Sequence, residues 1–204
     1  MTGAPASDPE RTGGTGTVNR SHLLLIGAGP GLGLAIARRF AVGGSRVTLV
    51  ARSADRLGSL AGSLADTGGK IDTIEADASD PEGLRARMTQ LYRGEGAPGV
   101  IIYNAVIGAP DQLLTASVAH LQAAYAVDVI SAIVVAQVAA PAMKAAGFGT
   151  MIVTGGGFAD HPIPALATVS LGETLSLSGS FYQNEISSRS LRHFLFRCAL
   201  GNTL

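Results

Sequence analysis

Residues 23–33 read Leu-Leu-Leu-Ile-Gly-Ala-Gly-Pro-Gly-Leu-Gly, and a helix-like stretch, LGLAIARRF, continues from Leu32 without a gap. The apolar run from Leu23 to Ile26 predicts a buried strand that breaks at Gly27. Glycines then occupy the alternate positions Gly27, Gly29, Gly31 and Gly33. A strand that runs through a glycine turn into a helix start aims free backbone N–H groups and the positive helix end at one point, which suits a pyrophosphate. The GxGxxG spacing needs glycine where this chain has Leu32. The spacing that fits is Gly27-x-x-x-Gly31-x-Gly33.

Working outward, residues 46–50 are a short β-branched run and predict a second strand. Leu57, Leu60 and Leu64 fall on one helical face, and Gly68-Gly69 ends that helix. Residues 70–77, KIDTIEAD, predict a third strand. Asp80 followed by Pro81 is a helix start signal. Residues 100–106, VIIYNAV, predict a fourth strand, and residues 149–157, GTMIVTGGG, a fifth. Between them, residues 118–147 are Ala- and Val-rich and apolar nearly all round, which predicts a buried or partner-facing helix.

Strands alternating with helices imply right-handed crossovers and a Rossmann-like, doubly wound parallel α/β sheet in a single domain. Ligands of such sheets bind beyond the carboxyl ends of the strands. The informative positions are therefore Gly27 to Gly33, Ala51-Arg52, Asp77, Asn104 to Val106 and Gly155 to Gly157.

The chain has 204 residues, 47% of them apolar, enough for one domain to bury its own core. Fifteen basic and fifteen acidic residues cancel, so no basic field exists to hold nucleic acid or an anionic membrane. Cys198 is the only cysteine, which excludes an internal disulfide, argues against a zinc site and fits a reducing, cytoplasmic setting. No metal site is expected. Residues 1–20 are rich in Gly, Thr, Pro and Ser and read as a disordered tail. The apolar run Val127 to Met143 contains Asp128, Gln137 and Pro141, and by itself falls short of a membrane span.

The strand tips, in this order, resemble the short-chain dehydrogenase/reductase family over residues 21–173. IGAGPGLG is similar to the family's TGxxxGxG turn, with Gly27, Gly31 and Gly33 matching and Ile26 in place of the threonine. Asp77 falls where the family's aspartate contacts the adenine end of the cofactor. Asn104 matches the second asparagine of NNAG, while Tyr103 and Val106 depart from that motif. The resemblance implies a dinucleotide site formed by Gly27, Gly29, Gly31, Leu32, Gly33, Asp77, Ala78, Asn104 and Ala105. A carboxylate at the end of strand two would bind a ribose 2′-hydroxyl, whereas an arginine pairs with a 2′-phosphate. Arg52, with Ser53 as helper, therefore favours NADP(H).

The same alignment removes the family's chemistry. The proton donor in the family is a tyrosine whose pKa is lowered by a lysine four residues on. None of the four tyrosines, at 92, 103, 125 and 182, has a lysine at that spacing. Leu166 stands at the tyrosine position and Ser170 at the lysine. The catalytic serine falls on Gly156 and the helix asparagine on Asp128. Loss of one oxyanion donor costs a factor of about a hundred to a thousand, and loss of the proton donor a similar amount again. His161, beside Asp160 and across from Asp128, is the candidate replacement acid; its alternative is a loop histidine bonded to a carbonyl. Thr168 and Ser170 are placed to hold a substrate oxygen, and Glu173 sits near the lost lysine with the opposite charge.

From about Thr174 alanine nearly vanishes and Ser, Phe, Arg and His take over. Residues 174–204 therefore read as a divergent tail lacking the family's last strands, as a truncated or frame-shifted end would be. The expected protein is a cytoplasmic NADP(H)-binding oxidoreductase acting on an alcohol or carbonyl, with catalysis in doubt. The competing readings are a non-catalytic scaffold, dimeric or oligomeric through helix 127–143, and an isomerase or cyclase using His161 and Asp128.

Overall fold

In the computed structural model of the chain, residues 18–108, 114–155, 160–162, 164–174 and 192–197 are described. Six parallel strands form one sheet in the order β3-β2-β1-β4-β5-β6. They are β1 (Val18–Ile26), β2 (Arg46–Ala51), β3 (Ile71–Glu75), β4 (Ala97–Tyr103), β5 (Thr150–Gly155) and β6 (Arg192–Arg197). The helices are α1 (Leu32–Val42), α2 (Ala54–Gly62), α3 (Pro81–Glu95), α4 (Val118–Tyr125), α5 (Ser131–Ala146) and α6, residues 167–174.

β1 is apolar on both faces because both faces are covered. Leu24 and Ile26 join Val50, Ile101, Tyr103 and Met151 against Leu84 and Met88 of α3 and Val135 and Met143 of α5. Leu23 and Leu25, pointing the other way, join Val47, Leu49 and Ile102 against Ala37 and Ala41 of α1 and Leu57 and Leu60 of α2. Two cores, one on each side, make the sheet doubly wound.

Local signals act where they stand in the sequence. Asp80 caps α3, accepting from the Gly83 N–H at 3.0 Å, with Pro81 in the first turn. Leu57, Leu60 and Leu64 are all buried, although α2 stops at Gly62 and Leu64 lies in the turn before a short 3-10 segment, Ala65–Thr67. Gly68 ends that segment at φ 70°.

Three boundaries differ from the pattern reading. β1 begins at Val18, so residues 18–20 belong to the sheet rather than to the tail; Val18 pairs with Ala97 and Asn19 with Pro98. Composition alone ends the sheet at β5, but Arg192–Arg197 adds a sixth strand in parallel register from Thr150↔Arg192 to Gly155↔Arg197. The long apolar helix contains a π segment, Ala126–Ile130, between α4 and α5. Taken together, residues Val118–Ala146 are long and apolar enough to cross a membrane by length and composition, unlike the shorter run judged alone. Half of its most apolar window is buried inside the molecule, however, as in a core helix.

Asn104, just past β4, ties the three central strands together. Its backbone N–H donates to Ile26 O at 2.7 Å. Its Nδ2 donates to Gly27 O at 3.0 Å, and its Oδ1 accepts from Thr154 Oγ1 of β5 at 2.8 Å. Replacing the side chain leaves a partly buried carbonyl and a hydroxyl without these partners. Asn104→Ala is expected to lower the unfolding free energy by about 2–3 kcal/mol in urea titration, with the loss shared by β1, β4 and β5.

Candidate functional site

The tips of β1, β2, β3 and β4 lie side by side at the carboxyl edge, because Ile26 pairs with both Val50 and Tyr103 and Ala51 pairs with Glu75. The four glycines of the turn divide into two kinds. A Cβ on Gly27 would lie 2.3 Å from the Ala105 nitrogen, and Gly27 also holds φ 85°. A Cβ on Gly33 would come within 3.3 Å of Gly27 O. Those two glycines allow backbone to pack on backbone. Around Gly29 and Gly31, by contrast, a Cβ would meet nothing within 4 Å. They border open space.

That space faces the start of α1. The Gly27 and Ala28 N–H groups both donate to Val50 O at 3.0 Å, which bends the chain sharply off β1. Gly31 occupies the helix cap with no side-chain hydrogen bond to the first turn, and that turn holds no acidic residue. An uncapped helix end of positive potential beside an open surface is an anion site by geometry. A dinucleotide pyrophosphate fits it.

The remaining positions assigned to a cofactor surround this turn. Arg52 is the first residue beyond β2; it is exposed and, among the described residues, has no ion pair. Ser53 caps α2, its Oγ accepting from the Arg56 N–H at 3.3 Å, which leaves its hydrogen able to donate. Asp77 makes a tight turn after β3: Oδ1 accepts from the Ser79 N–H at 2.8 Å. The Ala78 carbonyl accepts from Ser131 Oγ at 2.7 Å, which fastens this turn to the first residue of α5. Ala105 lies directly against Gly27.

The chemical half of the site is built differently. Ser170 is buried, and its Oγ donates to Leu166 O at 3.0 Å, one turn back in the same helical segment. Leu166 has no proton to give. Tyr103 is buried, its hydroxyl donates to Val127 O, and burial pushes its pKa above the usual phenol range. Tyr92 on α3 is half-buried with its hydroxyl enclosed, and desolvation shifts its pKa upward. Gly156, Tyr182 and Cys198 lie outside the described residues.

Asp128 is 8% exposed and sits in the π segment, where the irregular helix turns it inward. Its Oδ1 accepts from the Ile107 N–H at 3.1 Å. Gly172 of α6 packs against it: a Cβ there would lie 2.7 Å from Asp128 Cβ. Burial first, and the Glu173 charge with it, push the Asp128 pKa up to about 6 against the opposing Ile107 hydrogen bond and His120. His161 is exposed on its loop. Glu173 and His120 are charges that act on Asp128. Glu173 also faces the β5 tip, its Cδ 3.5 Å from where a Gly155 Cβ would be. Glu173 comes to Asp128 through the packing of α6, which linear spacing does not announce, while His120 lies earlier on the same helical stretch.

The raised pKa has a definite sign in stability. Between the ordinary carboxyl value of 3.8 and about 6, the folded state binds more protons than the unfolded chain. Stability contributed by this group is therefore lost as pH rises through that window. Asp128→Asn keeps an acceptor for Ile107 and removes the charge. Thermal melts should show the variant a few degrees more stable than the parent at pH 7.5, with the advantage gone near pH 4.

The short chain dehydrogenase family model matches residues 21–168. An uncharacterized oxidoreductase of Mycobacterium tuberculosis is 30% identical over 130 residues, covering 63% of this chain and 49% of its own length. Ketoacyl reductase HetN of Nostoc is 29% identical over 136 residues, covering 67% of this chain and 47% of its own. The chain spans between 33% and 54% of the length of the curated relatives it matches. Among solved structures, a metagenomic short-chain oxidoreductase in complex with NADP superposes with a TM-score of 0.78 at 26% identity, covering 86% of this chain and 80% of that one. A parallel doubly wound sheet, the Gly27–Gly33 turn and a family match over more than half the chain agree: the protein belongs to the short-chain dehydrogenase family of oxidoreductases.

Proposed function

We propose that this chain binds NADP(H) in the Gly27–Gly33 cradle and carries out no rapid hydride transfer by the family's tyrosine–lysine route. The observation that carries the reading is the contrast between the two halves of the site. The cradle is open at Gly29 and Gly31 over an uncapped helix end, whereas Ser170, at the lysine position, spends its hydroxyl on Leu166 O.

In this reading Gly29, Gly31, Leu32 and Gly33 hold the pyrophosphate, Arg52 and Ser53 the 2′-phosphate, Asp77 and Ala78 the adenine end, and Asn104 and Ala105 the inner ribose side. When bound, NADP(H) supplies or accepts a hydride at its nicotinamide. A carbonyl reduced by that hydride still needs a proton. Tyr103 is bonded to a backbone carbonyl, Asp128 is shielded by Gly172 and Ile107, and Leu166 has none to give. The substrate class of the lineage is an alcohol or carbonyl compound. A second reading, a nucleotide-dependent scaffold, is favoured by Ile130 and Ile133, which are 37% and 47% exposed along the helical stretch; a second copy of the chain packing there would cover them.

NADPH fluorescence titration of the parent beside Arg52→Ala tests the cofactor. The variant should bind NADPH about ten-fold or more weakly, as for a lost charge-assisted phosphate contact of about 1.5–3 kcal/mol, with NADH affinity nearly unchanged. Equal weakening of both would remove Arg52 from the 2′-phosphate. Oxidation of NADPH against a carbonyl panel should stay at the background rate, and turnover abolished by His161→Ala would instead establish a replaced acid.

A further inference from the structure

The sheet carries a second cluster of ionisable groups, at the opposite edge from the cradle. His22 lies within β1 and is 1% exposed. It points to the same face as Leu24, so its cross-strand partner is Arg46, the first residue of β2. Its Nε2 is hydrogen-bonded to Thr48 Oγ1 at 2.8 Å, and Thr48 is itself fully buried. The other ring nitrogen, Nδ1, has no hydrogen-bond partner. Arg46 is held by Asp72 of β3 and by Glu95 at the end of α3, each at 2.6 Å.

The two carboxylates are thus committed to the guanidinium. A proton added to His22 would create a second cation beside Arg46, on a ring that is 1% exposed, with its new N–H aimed at no protein acceptor. Such a charge is costly to bury. Every charged group facing the ring bears on this balance: Arg46 and Lys70 oppose protonation, Glu95 and Asp72 favour it, and desolvation, the largest effect, opposes it.

We propose that His22 is an acid-sensitive latch at the amino-terminal edge of the sheet: neutral, it seals β1 to β2 through Thr48; protonated, it sets a second cation against Arg46 and releases that edge. The released strand is the one that carries the Gly27 turn, so acidification loosens the scaffold of the cradle from below. The latch does not depend on what the cradle binds.

The direction of linkage follows from the lowered pKa. Below the ordinary value of 6.5 the unfolded chain takes up a proton that the folded chain refuses. Stability contributed by His22 is present above that value and lost as pH falls beneath it. This is opposite in sign to Asp128, so the two groups are separable by variant.

The test compares thermal melts of the parent and His22→Asn from pH 7.5 to pH 5.5. The parent should lose several degrees of Tm more than the variant over this range, and parallel profiles would overturn the proposal. Because His22→Asn places a new amide in a tight site, a second measurement on the parent stands beside it: an NMR titration of the histidine ring carbons. Free histidine in the same buffer serves as the reference. The His22 resonances should stay in the neutral form while that reference titrates and should change only with unfolding. A His22 ring that titrates alongside the reference in the folded protein would overturn the latch.

Discussion

The constraint on which the carboxyl edge of the sheet depends is the close approach of the end of β1 to the end of β4. Gly27 and Asn104 are 77 residues apart in sequence and joined by a 3.0 Å hydrogen bond. The approach is possible only because position 27 has no Cβ, which would otherwise overlap the Ala105 nitrogen at 2.3 Å. Everything at the carboxyl edge depends on it. The turn leaves β1 at an angle set by the Gly27 and Ala28 N–H groups meeting at Val50 O, and α1 starts where that turn delivers it. Asn104, held on its other side by Thr154, prevents the tip of β4 from moving independently. Alanine at position 27 would force β1 and β4 apart at the point where the cradle opens.

Binding and chemistry draw on separate supports in this fold. The cradle rests on β1, β2 and β4, all within the two apolar cores. The positions at which the family places its proton donor and its lysine lie on or beside α6, beyond β5. Leucine and serine there disturb nothing beneath the cradle, since Ser170 satisfies its own hydroxyl within the helical turn. Asp128 shows the same independence. Its carboxyl is enclosed by the π segment, Ile107 and Gly172, so the altered residue is absorbed by local packing at the cost of a raised pKa. The proposed reading, a nucleotide surface kept while the reacting groups are replaced, rests on that separation.

Much of this was legible in the residues, and the part that was not has physical reasons. Alternating glycines, the Asp80-Pro81 start and the leucines at 57, 60 and 64 act through local geometry, and local geometry is what a one-dimensional pattern encodes. β6 was not legible, because its apolar run is only Phe194-Leu195-Phe196, set between Arg192-His193 and Arg197 and shorter than that of β1; it pairs with β5 through backbone groups. The extension of β1 to Val18 has the same origin, with polar Asn19 and Arg20 at the sheet margin. The π segment was hidden inside a composition that suits any helix. The surroundings of Asp128 were not legible either, because they come from packing between distant segments: α6 brings Glu173 to that carboxyl, and the Ile107 N–H donates to it. Ser53 combines two parts, since its oxygen caps α2 while its hydrogen stays able to donate.

The central claim is a cradle that holds its nucleotide without spending its hydride. The most direct measurement is NMR of the isotope-labelled protein with NADPH and a mixture of carbonyl compounds in one sample. The account predicts that the amide signals of Gly29, Gly31, Leu32 and Gly33 shift together on binding, while the nicotinamide C4 hydride signals persist for hours. Cradle amides that stay in place at saturating NADPH, or C4 signals that decay faster than in a protein-free control, would contradict it.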